Sequence, residues 1–369
     1  MISGNKLFHL VQTRRTPVTV ARSCFGEWFM ESFSPKNALY AATLAAAFCL
    51  AGQARAVELN GAGSSFHSNL YKEWMAEFNR ANPDITVTYK SVGSGEGIRR
   101  FTQGSVAFGS TERPMTDAEI ANVPENVLHV PTTAGMVVLA YNIPGFSGDL
   151  RLSRQALVGI MSGRIKTWDD PLIRAANPGV DIPKRNIAVV ARRDASGTTF
   201  SFTTHLAAVS DAWKEVGTTV AWPNNAMIVS GNEGVAGRIA IAEYSIGYVE
   251  YSFAAQLNLR SALIENRAGQ YVRADGASGS AALASALDGM PEDGRQIIPD
   301  PVGDTVYPIV SYSWTLLRKA NKDPQVADGL KRFVGWGLVE GQTFAEGLGY
   351  IPLPAPVVNR AQAILAGLH

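Results

Sequence analysis

The chain has 369 residues, with 46% hydrophobic and 18% charged side chains and a formal net charge of +1, a length that fits about two domains. The composition is ordinary for a soluble globular protein. The two signs of charge are well mixed and no basic run occurs, which excludes the basic face that a nucleic-acid binder needs.

Residues 1–56 read as an export signal. Ala38 to Gly52 is a mostly apolar, Ala-rich stretch, shorter than the ~20 residues that span a bilayer. Ala54-Arg55-Ala56 follows as a small-x-small cleavage site, so cleavage after Ala56 would leave Val57 first. The region ahead of Ala38 is long for a signal, and Met30, with Lys36 as the positive residue, offers a later start. Taking this segment's six Lys/Arg and two Asp/Glu from the totals of 33 and 32 leaves 27 and 30, a net charge of −3. Cys24 and Cys49 leave with it, so the exported chain must rely on its core rather than on disulfides. Phe48 ahead of Cys49 argues against lipid attachment. No later segment is long and apolar enough to cross a membrane, and a soluble periplasmic protein is expected.

Strand and helix patterns alternate from there on. Leu59 to Ala62 is a short strand. A helix follows in which Phe66, Leu70, Trp74 and Phe78 recur every four residues, with Tyr71 and Met75 beside them, as one apolar stripe. Ile85 to Tyr89 alternates like a strand, a glycine-rich turn leads to a helix through Ile98 and Phe101, and Val106 to Gly109 is a further strand. This order argues for an α/β domain with a largely parallel sheet. Gly135 to Tyr141 is a strongly apolar strand ended by the turn Asn142-Ile143-Pro144-Gly145. Leu152 to Met161 is a helix, and Ile187 to Val190 is a strand leading through a polar turn to a helix from about Thr198 to Val209. Ala226 to Ser230 leads through glycines to a helix over Val235 to Tyr244, and Ile246 to Val249 is a strand, which makes a second α/β unit. Residues 268–296, rich in Gly, Ala, Ser and Asp, read as a loop with a weak helix. A strand runs from Tyr307-Pro308-Ile309-Val310 to Leu317. Helices around Ala327 to Gly337 and Gln342 to Leu348 follow. No tandem repeat of fixed period is present.

Three stretches share one layout of strand, small-residue turn with a serine, and helix start. They are Gly61-Ala62-Gly63-Ser64-Ser65-Phe66, Gly93-Ser94-Gly95-Glu96-Gly97 and Arg192-Arg193-Asp194-Ala195-Ser196-Gly197-Thr198-Thr199-Phe200. The first turn of a helix has free N–H groups and partial positive charge. Small residues let an anion approach them, and Ser and Thr hydroxyls add donors. One such turn is ordinary capping; three in one chain, one of them beside an arginine, point to an oxyanion site. Arg192 is the candidate fixed charge, since its fork of donors suits a tetrahedral oxyanion, and Asp194 is placed to hold that fork. Arg193 competes for the role, and alternation alone does not decide between them. Glu112, in Gly109-Ser110-Thr111-Glu112-Arg113-Pro114, makes sense beside an anion that keeps a proton. A carboxylate would accept the P–O–H of mono- or dibasic phosphate and repel sulfate. The plain alternative for Glu112 is an exposed capping acid ahead of Pro114.

With Gly163-Arg164-Ile165-Lys166-Thr167-Trp168-Asp169-Asp170, Gly247-Tyr248-Val249-Glu250-Tyr251 and Tyr307-Pro308-Ile309, these stretches in this order resemble the phosphate-binding proteins of high-affinity phosphate ABC transporters. The likeness runs from Leu59 to about Pro354. It implies an α/β, two-lobed periplasmic-binding-protein (Venus-flytrap) fold, each lobe a mostly parallel sheet flanked by helices. Lobe 1 would hold residues 57–134 plus 307–369 and lobe 2 residues 135–306, with hinges near Thr132–Gly135 and Asp304–Ile309. The implied phosphate ligands are Ser65 and the N–H of Phe66, Ser94, Glu112, Arg192 supported by Asp194, and Ser196, Gly197 and Thr198, with Gly197 acting through its backbone. Ser65 stands where family members have Thr. Glu112 replaces the usual Asp and reaches one methylene further. Glu96 replaces a Gly and puts negative charge near Ser94 unless Arg99, Arg100 or Arg113 balances it. The expected function is capture of inorganic phosphate by a monomer and its delivery to an inner-membrane ABC permease, with no cofactor and no enzymatic activity.

Two rivals stand beside this reading. One is a binding protein for another tetrahedral oxyanion: Glu112 argues against sulfate and molybdate, whereas arsenate keeps a proton as phosphate does. The other is a secreted serine-dependent phosphatase using Ser65 or Ser196. It would need a base, and after residue 56 the chain has only His67, His129, His205 and His369. G-x-S-x-G, H-E-x-x-H and metal-spaced His/Asp clusters are absent. His67, two residues after Ser65, reads as a surface helix residue.

Overall fold

The computed structural model describes residues 56–369; residues 1–55, which hold most of the expected export signal, lie outside the described residues. In chain order, β1 (Val57–Gly63) leads to α1 (Ser68–Ala81), β2 (Ile85–Ser91), α2 (Ser94–Thr102), β3 (Phe108–Thr111) and the short α3 (Asp117–Ile120). Next come β4 (Val127–Asn142), β5 (Arg151–Leu152), α4 (Arg154–Met161), α5 (Pro171–Ala176), β6 (Ala188–Arg192), α6 (Gly197–Val209), β7 (Met227–Val229) and α7 (Gly231–Ile241). The chain continues through β8 (Ser245–Glu250), α8 (Tyr251–Gln256), β9 (Arg260–Ser261), β10 (Leu263–Glu265), β11 (Tyr271–Val272) and α9 (Gly276–Ala284), then β12 (Val310–Arg318), α10 (Pro324–Val339) and α11 (Ala355–Ala366).

The strands join in the order β2-β1-β3-β12-β4-β8-β6-β7, with β9 also on β4; β5, β10 and β11 form a small second sheet. Within the large sheet, parallel pairing is confined to the outer strands of each half, β2-β1-β3 and β8-β6-β7; in the small sheet β10 also runs parallel to β5. The central β12 and β4 pair antiparallel. β4 belongs to both halves: Val127–Met136 faces β12, and Val137–Asn142 faces β8. This connection sets the direction of everything else. β4 runs from the first half into the second, and β1, β2 and β3 share its direction. β8 opposes it, and β6 and β7 run with β8. The carboxyl ends of the two parallel sets therefore confront each other. In α/β sheets those ends are where ligand loops and helix N-termini gather.

The apolar stripe of α1 is buried at Leu70, Tyr71, Trp74 and Phe78. Its rings meet α10, with Phe78 and Phe333 at 5.2 Å between centroids and Trp74 and Phe333 at 6.3 Å. Burial of each such side chain stabilises by about 1.5–3 kcal/mol. Trp74 spends its one polar atom on Gly341 O at 2.8 Å, as a buried indole must.

Some expected boundaries move, for identifiable reasons. The strand expected from Gly135 begins already at Val127, because Thr132 and Thr133 interrupt the apolar run yet are buried within the sheet. Leu152 belongs to β5, and Ser153 caps α4 by accepting from Ala156 N at 3.1 Å. The helix expected to reach Tyr244 stops at Ile241, since Tyr244 adopts a φ of 58°. Gln342–Leu348 is not one helix but two 3-10 turns. The closing α11 was not anticipated: Pro354 and Pro356 look like breakers, yet they sit at its cap and first turn, where proline is tolerated. No described helix is long and apolar enough to cross a membrane.

Candidate functional site

Five strand ends supply the site. From the first half, β1 delivers Ser64, Ser65 and Phe66, the turn after β2 delivers Ser94 at the start of α2, and β3 delivers Glu112. From the second half, β6 ends on Arg192 ahead of Asp194, Ser196, Gly197 and Thr198, and β7 leads into α7 with Asn232 in its first turn. Gly93 turns the chain into α2 with a φ of 91°, and a Cβ there would lie 2.6 Å from Asp194 Oδ2 and 3.0 Å from Ala195 O. Gly95 N donates to Ala195 O at 2.9 Å. The two halves are therefore in contact along this seam.

Glu112 is 1% exposed, which excludes the exposed capping acid. A buried carboxylate is costly unless donors surround it. Here Ser64 Oγ and Ser94 Oγ (3.2 Å) donate to Oε2, and Ser313 Oγ (2.8 Å) donates to Oε1. Ser94 Oγ also accepts from Gly197 N across the seam at 3.1 Å. Phe66 N donates to Ser64 Oγ at 3.0 Å, and Tyr89 OH donates to Ser64 O at 2.7 Å.

Arg192 is buried at the junction of the two halves and Arg193 is exposed. The Arg192 guanidinium grips Asp194 through Nε at 2.8 Å and through Nη2, and its Nη1 points to Thr198 Oγ1 at 3.5 Å. Burial pushes the Asp194 carboxyl up, but hydrogen bonds from Arg192 and from Gly231 N outweigh it and hold the group below its usual value. Tyr248 OH accepts from Arg192 N at 3.1 Å and pairs with Thr199 Oγ1 at 2.7 Å; burial pushes this phenol up to about 12. Ser196 caps α6, with Thr199 N donating to its Oγ at 3.1 Å.

The loops named from the sequence meet in the fold, and four side chains outside the expected ligand set join them there. Ser64 meets Glu112. Ser65 Oγ instead accepts from Asn232 N and Nδ2, both at 3.1 Å, and Asn232 Nδ2 also donates to Thr198 Oγ1 at 3.1 Å. Asn232 thus ties both halves together. Its signal was present as Ser230-Gly231-Asn232-Glu233-Gly234, a fourth small-residue turn between strand and helix. Ser313 carried no signal, being one of two serines in a largely apolar strand. His67 corrects an expectation: it is fully buried, with Nδ1 2.6 Å from Ser313 Oγ.

Glu96 is balanced as its position required. Hydrogen bonds from Arg99 and then Arg100 hold its carboxyl down at about 2. Arg113 takes no part and pairs with Glu119 at 2.7 Å. Among the described residues, no three His, Cys, Asp or Glu side chains cluster as metal ligands. Chemically the arrangement offers one guanidinium, helix-start N–H groups and hydroxyls around a single buried proton acceptor, a set matched to a small oxyanion that retains a proton.

Residues 50–339 match a family model described as a PBP superfamily domain. The phosphate-binding protein PstS of Pasteurella multocida (strain Pm70) is 36% identical over 332 residues, covering 89% of this chain and 95% of its own. The phosphate-binding protein PstS of Methanocaldococcus jannaschii is 33% identical and covers 80% of this chain and 82% of its own. Among solved structures, a high affinity periplasmic phosphate-binding protein (PfluDING) bound with phosphate at pH 8.5 matches with a TM-score of 0.70 at 22% identity, covering 83% of this chain and 93% of that one. A phosphate-binding protein from Stenotrophomonas maltophilia matches with a TM-score of 0.67 at 18% identity, over 83% and 93%. At those identities the two structures speak to the fold alone.

Proposed function

The chain belongs to the PstS family of phosphate-binding proteins within the PBP superfamily, and on that premise we propose that it captures inorganic phosphate between its two lobes and delivers it to a phosphate ABC permease. Lobe 1 comprises residues 57–134 plus 307–369 and lobe 2 residues 135–306. The chain works in the periplasm after export, with cleavage after Ala56.

Ser94 carries this reading. Its hydroxyl accepts Gly197 N–H from the opposite half while donating to Glu112. One point therefore gathers a helix-start donor, a hydroxyl and the proton acceptor. Phosphate would replace these internal pairs. Its protonated oxygen donates to Glu112, Ser65, Ser94, Ser196 and Thr198 supply hydroxyl or backbone donors, and Phe66 and Gly197 supply N–H. Arg192, steered by Asp194, supplies the charge. Burying an unpartnered dianion would cost tens of kcal/mol, so donors from both lobes are required at once, and closure follows binding. A serine hydrolase is disfavoured by the same geometry. Ser196 Oγ is the cap of α6, Ser65 Oγ is taken by Asn232, and the hydrogen bond of His67 goes to Ser313.

Competition calorimetry tests the reading. Phosphate should bind at micromolar concentration or tighter, about −8 kcal/mol or better, and sulfate should compete only weakly. Glu112→Gln should lose most of that preference, because an amide accepts no better from phosphate and no longer repels sulfate. Tight sulfate binding by the wild type would overturn the proton-acceptor argument.

A further inference from the structure

Behind Glu112 lies a second layer of polar side chains with a fixed polarity. Ser313 Oγ donates to Glu112 Oε1 at 2.8 Å. His67 Nδ1 lies 2.6 Å from the same hydroxyl and 3.5 Å from Glu112 Oε1. A serine hydroxyl has one proton to give. With that proton committed to the carboxylate, Ser313 must accept from His67, so the imidazole carries its hydrogen on Nδ1. The other ring nitrogen, Nε2, is buried without a hydrogen-bond partner. The rings of Tyr71 and Tyr89 pack beside the imidazole, at 4.1 Å and 5.5 Å between centroids. The chain of donors thus runs one way, from His67 through Ser313 to the far oxygen of Glu112.

We propose that His67 and Ser313 are positioning residues that set the anion specificity of the site. They clamp Glu112 Oε1, so that Oε2 alone is aimed between Ser64 and Ser94 at the protonated oxygen of the ligand. This rests on the phosphate reading of the site. A glutamate has one more rotatable bond than an aspartate, and a freely turning carboxylate loses directional acceptance. Clamped at Oε1, it can neither swing toward other donors nor retreat from an incoming oxyanion. A fully deprotonated anion then meets a fixed negative oxygen, whereas hydrogen phosphate meets an acceptor already in place. Hydrogen bonds that polarise one another along such a chain also strengthen the final contact.

The test is competition calorimetry at neutral pH with phosphate and sulfate, with thermal melts to confirm folding. Ser313→Ala and His67→Leu should each lower the preference for phosphate by about tenfold or more. Ser313→Thr keeps the hydroxyl, and His67→Asn places an amide N–H where Nδ1–H was; both should stay near wild type. A purely packing role predicts no such rescue, with the Thr and Asn variants no better than Ala and Leu, and that result would overturn the proposal. So would an unchanged preference in a folded Ser313→Ala protein. In a Glu112→Asp background, whose shorter carboxyl does not reach Ser313, His67→Leu should have no further effect. Nitrogen NMR of the imidazole in ligand-free wild type gives a readout independent of any anion: hydrogen on Nδ1 is expected, and hydrogen on Nε2 would refute the relay. If the Nδ1–H form is present but phosphate does not bind, the phosphate reading fails instead.

Discussion

Gly197 shows how little room the cleft leaves at the level of one atom. A Cβ at this position would fall on Glu112 Oε2 and Ser94 Oγ and lie 2.9 Å from Glu112 N, all in the opposite half. Gly197 is also the first residue of α6, where alanine favours the helix. The penalty of Gly197→Ala therefore falls on closure, not on folding. Overpacking costs about 1–3 kcal/mol, so phosphate affinity should drop about 10–100-fold while the ligand-free protein melts as wild type. Calorimetry beside a melt checks both halves of that statement; unchanged affinity would mean the lobes do not meet here around the ligand. Single residues also mark the limit of reading by pattern. Arg192 and Arg193 differ only in which side of β6 they leave, and burial alone separates them. Ser64 and Ser65 are chemically identical neighbours that face Glu112 and Asn232 respectively. His67 looked like a surface residue because nothing local announces that Tyr71 and Tyr89 pack beside it.

At the scale of elements, period and turn chemistry were legible wherever one face of an element is apolar, as in α1 and β2. They failed where burial is two-sided, as at Thr132 and Thr133 in β4, and where proline opens a helix, as at α11. The junction of β8 and α8 illustrates what neither signal reveals. Glu250 ends β8 and caps α8, with Ser252 N (3.0 Å) and Ser252 Oγ donating to Oε2, while Oε1 is buried without a partner. Burial first, and then the charge of Glu112, push this carboxyl well above its ordinary value despite the Ser252 hydrogen bonds. The folded state therefore binds a proton that the unfolded state releases near 4.5, the ordinary value for a glutamate. The stabilisation is fully present below that pH and is lost as pH rises toward the folded-state value, at about 1.4 kcal/mol per pH unit. Glu250→Gln, neutral at every pH, should melt like wild type in acid and above it at mildly alkaline pH, with a gap that widens as pH increases. Parallel melting curves for the two proteins across that range would show that Glu250 is ionised in the fold.

For the whole molecule, the two α/β units were legible in the strand–turn–helix repeats, but their fusion into one sheet was not, because pairing partners leave no mark on a strand that is apolar on both faces. That fusion bears on how the protein moves. β4 changes partner from β12 to β8 between Met136 and Val137, where Val137 N donates to Ile309 O at 2.9 Å. A hinge near Thr132–Gly135 and Asp304–Ile309 would place both chain crossings at this change of partner, so the lobes turn about two adjacent backbone segments. What holds them shut is then the set of bonds across the seam. Asn232 reaches Ser65 across it twice, and within its own lobe it joins Thr198 and takes Glu250 N on its carbonyl at 3.1 Å. Asn232→Ala removes these contacts and leaves buried partners unsatisfied, a loss of about 1–3 kcal/mol. Because the two bonds to Ser65 form only when the lobes meet, their loss should appear as phosphate release about 10–100-fold faster, with the association rate little altered. Stopped-flow fluorescence separates the two rates, and small-angle scattering should show a smaller contraction on adding phosphate than in wild type. A slower association with unchanged release would place the role of Asn232 in shaping the open lobe, and the latch would have to lie elsewhere along the seam.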